Sequence, residues 1–216
     1  MKSQFTLILS LLISANFAFA DGLIFYEVSI TNVTKGQSFT PQLVATHDKS
    51  LTIFTLGEAA SASLEALAEG GDTSGLEDDL SGSSGHVKVI GGLLGPGDKM
   101  MAEIKGHHNH HSLSIAAMLL PTNDTFVALS AVELPKKGSV SYLALAYDAG
   151  TEENDQSCMH IPGPTCEGQA FSAINDETDE GYVYISNGIH DSGDLDPALY
   201  DWNNAVALVT IKRINE

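Results

Sequence analysis

Residues 23–33 read LIFYEVSITNV. Apolar and polar side chains alternate through the stretch, and aromatic and β-branched residues fill it. A period of two sends successive side chains to opposite faces of an extended chain, so this is a strand with one face on a core. Working outward, similar strand-like runs recur at 42–45, 51–54, 86–90, 101–105, 112–119, 126–131, 140–146, 182–185 and 205–214. Turn-forming clusters separate them, among them Gly91-Gly92, Gly95-Pro96-Gly97-Asp98, Pro121-Thr122-Asn123-Asp124 and Pro135-Lys136-Lys137-Gly138. Many short strands punctuated in this way predict an all-β fold, an antiparallel β-sandwich. One segment departs from the pattern. Residues 58–69 (EAASASLEALAE) are rich in Ala, Leu and Glu, with Leu64, Leu67 and Ala68 on one face. They predict one short helix, ended by Gly70-Gly71. Residues 72–85, rich in Gly, Ser and Asp, read as a surface loop.

The first twenty residues have the make-up of an export signal. Lys2 precedes an apolar run over 5–13, and Ala18-Phe19-Ala20 gives the small-x-small pattern of a cleavage site. The apolar run is too short for a membrane span, although an uncleaved anchor is the competing reading. Residues 1–20 are therefore expected to be removed, leaving 21–216 as one secreted or periplasmic domain with no later transmembrane segment. An oxidising destination makes Cys158 and Cys166, eight positions apart, a local disulfide. The formal net charge of −18 repels phosphate backbones, which argues against nucleic acid and favours cations and basic partners.

Two acidic turns flank neighbouring strand-like runs. Asp124 closes the turn before 126–131, and Asp148 with Glu152 follows 140–146. If those runs pair, the three carboxylates converge and repel unless a cation lies between them. Calcium suits such a set, since it takes hard oxygen ligands, carbonyls and water in loose geometry. Gly150 allows the tight turn that faces Asp148 and Glu152 to one point. With 28 acidic residues in the chain, a chance cluster of solvated loops is the competing reading.

His107, His108, His110 and His111 form a second constellation, able to hold zinc or copper or, alternatively, to form a solvated hairpin tip. Such a site would make the chain a periplasmic transition-metal binder or a metal-dependent hydrolase. No Gly-x-Ser-x-Gly elbow, His-Glu-x-x-His motif or phosphate-cradling glycine loop occurs, so the sequence reads as a non-enzyme. The run Asp176, Glu177, Asp179 and Glu180 reads as a solvated edge, and Trp202 as a packing residue.

The ordered fragments Ile30-Thr31-Asn32-Val33-Thr34, Thr40-Pro41-Gln42-Leu43, Gly57-Glu58-Ala59-Ala60-Ser61, Leu67-Ala68-Glu69-Gly70-Gly71, Met118-Leu119-Leu120-Pro121-Thr122-Asn123-Asp124, Asp148-Ala149-Gly150-Thr151-Glu152, Asp201-Trp202 and residues 206–214 resemble the spondin N-terminal domain family. That family occurs in the matrix protein F-spondin and in exported bacterial proteins. The resemblance implies a sandwich similar to calcium-dependent membrane-docking domains, with one calcium ion. It implies that Asp124, Asp148 and Glu152 are the ligands, Glu152 standing where F-spondin has Asp. The extra cysteines and aromatic turns of the animal proteins are missing, so their matrix and receptor contacts do not carry over. The chain itself reads as a non-catalytic calcium-binding module for adhesion, meeting a protein or an extracellular matrix or surface ligand.

Overall fold

A computed structural model describes residues 23–82, 85–107, 112–172, 179–203 and 205–214. Residues 1–20, expected to be an export signal, and His108, His110, His111, Asp176 and Glu177 lie outside the described residues. In chain order the elements are β1 (Ile24–Asn32), β2 (Ser38–Phe39), β3 (Gln42–His47), α1 (Ala62–Gly70), α2 (Ser74–Ser81), β4 (His86–Ile90), β5 (Lys99–Gly106), β6 (Ser112–Leu120), β7 (Thr125–Glu133), β8 (Ser139–Asp148), β9 (Tyr184–Ile185), α3 (Pro197–Tyr200) and β10 (Ala207–Arg213).

All strand pairs are antiparallel, in the order β4-β3-β6-β7-β8-β10-β1-β5, with β2 on β6 and β9 on β8. The fold is all-β as the alternation predicts, and it forms one continuous, nearly closed sheet. Strand β8 joins its two halves. Residues 139–144 pair with β10, whereas 145–148 pair with β7. The opening strand behaves as its period requires: Ile24, Tyr26, Val28 and Ile30 all face a core shared with Ile104, Ile115, Leu119, Val127, Val209 and Ile211.

Strand β6 is buried at every position. Its second face is covered by the helices, where Leu64, Leu67, Ala68, Leu76 and Leu80 pack with Leu43, Ala45, Ala116 and Phe126. A strand covered on both faces needs no polar alternation, and this accounts for the nearly unbroken apolar run of β6.

The structure corrects three local expectations. The first helix starts at Ala62 rather than 58, because Ser61 caps it by accepting from Leu64 N at 3.2 Å. Residues read as a loop contain the second helix, α2. Its Leu76 and Leu80, one turn apart, are the apolar pair that holds it to the sheet. Residues 51–54 form no strand; Ile53 and Phe54 instead cover the outer face of the sheet near the helices.

Between β8 and β10 the chain runs through a long stretch whose only described regular elements are β9 and α3. Cys158 and Cys166 are bonded there and pack with Ile161, Ile189, Leu195 and Trp202 in a small separate core. The disulfide read from the spacing is present.

Candidate metal centre

The acidic turns meet because of strand register. Thr125, the first residue of β7, pairs with Asp148, the last of β8. Asp124 and Asp148 are therefore neighbours at one end of the sheet, and Ala149 N donates to the Asp124 carbonyl at 3.2 Å. Gly150, at φ +65°, then folds the chain back. A Cβ there would lie 2.4 Å from the Tyr182 carbonyl oxygen, so only glycine fits. After this turn Thr151 N and Glu152 N donate to Asp124 Oδ2 at 2.8 and 3.2 Å. The Thr151 hydroxyl lies 3.3 Å from the same oxygen.

Asp148 is held from two sides. Its Oδ1 accepts from Gly150 N at 2.9 Å, and its Oδ2 from Asn154 Nδ2 at 2.9 Å. Glu152 Oε1 accepts from Ser172 Oγ at 2.8 Å. The remaining oxygens matter more. Asp124 Oδ1 and Glu152 Oε2 are buried without a hydrogen-bond partner among the described residues. Asp124, Asp148 and Glu152 are 0, 1 and 3 % exposed. Leaving a charged oxygen buried and unpaired is among the costlier things a fold can do.

The titration behaviour expresses that cost. Burial pushes Asp124 up, against the opposing amides of Thr151 and Glu152. Burial also raises Asp148, and the neighbouring Asp124 raises it further. Glu152 is pushed up to about 8 by burial, with the Ser172 hydroxyl opposing and Glu69 and Asp124 adding to the rise.

Two acids at this site lie outside the sequence-predicted set. Glu69, in the last turn of α1, is 4 % exposed and raised to about 7, chiefly by burial, while the Thr151 side chain pulls it down. Its place beside the core residues Leu67 and Ala68, just before the Gly71 cap, puts it on the buried side of α1 but does not tell what it meets there. Glu180 Oε1 accepts from Tyr184 OH at 3.1 Å, and Asn154 Nδ2 lies within reach of both at 3.0 and 3.3 Å. Glu180 also raises Asp124 and Asp148 electrostatically.

Among the described residues, no three His, Cys, Asp or Glu side chains are arranged as a ready-made metal cage. Asp124 Oδ2, turned to backbone amides, and Asp148, bonded at both oxygens, account for this in part. Asp124 is nonetheless buried close enough to Asp148 and to Glu152 to raise both electrostatically. Of the histidines, His107 stacks on His86 with ring centroids 5.1 Å apart.

The Spondin_N family model matches residues 31–177, about two thirds of the chain, and spans both acidic turns. The chain belongs to the spondin N-terminal domain family. No curated protein matches it. Within this spondin domain three of the quoted fragments build the site, Asp148 to Glu152 among them. Leu67-Ala68-Glu69-Gly70-Gly71 is the end of α1, and Met118 to Asp124 is the end of β6 with its turn. No helix among the described residues is long and apolar enough to cross a membrane.

Proposed function

We propose that this spondin domain is an exported, non-catalytic binding module whose loops are ordered by one calcium ion held by Asp124, Asp148 and Glu152. The observation carrying this reading is that two buried carboxylate oxygens, Asp124 Oδ1 and Glu152 Oε2, have no partner among the described residues and lie among like-charged neighbours. A hard divalent cation is the species that relieves both conditions together. Calcium accepts six to eight oxygens, carbonyls and water among them, and so tolerates a site whose carboxylates are partly committed elsewhere. Softer ions prefer nitrogen or sulfur donors, and neither is supplied here by His or Cys.

Bound calcium would supply positive charge and fix the turn at Gly150 against the turn at Asp124. The long segment after β8 starts from this point, so the ion would order the most irregular surface of the molecule. That surface, with its disulfide-stapled loop, is the face offered to a protein or to an extracellular matrix or surface ligand. The signal-like residues 1–20 and the disulfide support an extracytoplasmic setting.

Calorimetric titration of calcium into chelator-treated protein tests the reading. The wild type should bind one ion, and Asp148→Asn should weaken binding at least tenfold while retaining the far-UV spectrum. Absence of calcium binding by the folded wild type would remove the ion from the account.

A further inference from the structure

The nearly closed sheet has one open seam. Strands β4 and β5 stand at opposite ends of the strand order and share no backbone ladder among the described residues, yet they lie alongside each other. Side chains bridge the gap. Lys88 Nζ, on β4, donates to the Glu103 carbonyl at 3.3 Å, and Thr46 Oγ1, on the adjoining β3, donates to the Lys105 carbonyl at 2.5 Å. At the end of this seam His86, the first residue of β4, faces His107, the residue after β5. Their rings stack at 5.1 Å with planes 21° apart.

We propose that His86 and His107 form a transition-metal site, of the zinc, copper or nickel class, that clasps the open seam of the sheet. Imidazole nitrogens are the donors these borderline ions select over the hard oxygens calcium takes. An ion with bonds of about 2.0–2.1 Å to nitrogen spans two donors roughly 3.3 Å apart in tetrahedral geometry, with water completing its shell. Histidine χ2 is a broad, soft torsion, so small counter-rotations of two facing rings aim one nitrogen of each at a common point. Both residues are partly buried, and His86 Nε2 is itself shielded from solvent.

The neighbouring histidine is already committed. His47 is buried, with Nδ1 2.8 Å from the Asp48 carbonyl and Nε2 2.8 Å from Ser114 Oγ. The pair therefore acts without it. The site also differs in kind from the carboxylate pocket. His86 pairs with Thr46 at the end of β3, and Ser112 beside it pairs with Glu133, far along β7 from Thr125 and Asp148. The two ions would thus occupy opposite ends of the sheet. One would order loops, and the other would tie two strands that no ladder joins.

The experiment is a zinc titration of the full chain followed by thermal unfolding, with calcium held in excess throughout. Excess calcium keeps the carboxylate pocket out of the readout, whether or not that pocket binds it. At a free zinc concentration near one hundred times Kd, Tm should rise by roughly 5–10 °C. His86→Ala and His107→Gln should each lower zinc affinity at least tenfold. Replacing His108, His110 and His111 together by Ala should leave most of the shift. His107 lies beyond the last ladder pair of β5, so a folded His107→Gln protein is the informative variant if His86→Ala destabilises the strand. Zinc binding of wild-type strength in His107→Gln would overturn the proposal, as would loss of binding in the triple variant alone or no zinc shift at all.

Discussion

At the scale of single residues, the site is a contest between burial and charge. Asp124, Asp148 and Glu152 are almost wholly buried, with two oxygens unpartnered among the described residues, and each is easier to protonate than an exposed carboxyl. The sign of the pH dependence follows. A carboxyl whose folded pKa lies above its unfolded value adds stability while both states are protonated, and that stability is lost as pH rises through the folded pKa. With Glu69 raised to about 7 and Glu152 to about 8, chelator-treated protein should lose stability between about pH 5 and pH 9. In calcium the trend should flatten, because the ion needs the ionised forms. Thermal melts across that range in chelator and in calcium check this; a chelator profile that rises with pH would contradict the burial argument. Asp124, Asp148 and Glu152 could be picked out in the sequence because turn chemistry and strand pairing bring them together. Glu69 could not be placed by the same route, since a helix residue reaches the pocket only through packing that no local pattern encodes.

Among the elements, α2 shows where sequence reading falls short and why. Ser74-Gly75-Leu76-Glu77-Asp78-Asp79-Leu80-Ser81 has the polarity of a loop, and only two residues, Leu76 and Leu80, give it a buried face. Its helical state comes from tertiary contact with α1 and the sheet more than from propensity. A direct consequence is that Leu76, 2 % exposed, behaves as a core residue. Leu76→Ala should cost about 2–5 kcal/mol in denaturant unfolding, the range for emptying a packed site. A loss below about 0.5 kcal/mol would mean that the segment is the solvated loop its composition resembles. The strands were easier to read. Periodicity located β1, β4 and β8 because one face of each meets a core. It located β3 and β6 as apolar runs because both faces do. Residues 51–54 imitate the same signal, but their apolar side chains serve as a cover over the outer face.

For the whole molecule, Lys136, Lys137, Lys212 and Arg213 lie where β7 ends and β8 begins, beside Glu133, whereas the buried carboxylates sit at the other end of those strands. Continuous pairing around the sheet fixes that arrangement, with β8 linking the halves. The register was beyond the reach of the sequence, since a strand's pattern tells which face is buried but not which strand lies beside it. In the proposed function a cation completes the carboxylate pocket. Thermal unfolding of wild type and Asp124→Asn, each in calcium and in chelator, tests it most directly. At calcium near one hundred times Kd the wild type should melt about 5–10 °C above its chelator value, and Asp124→Asn should show almost no difference. Equal melting temperatures for the wild type in calcium and chelator, or an undiminished calcium shift in Asp124→Asn, would contradict it.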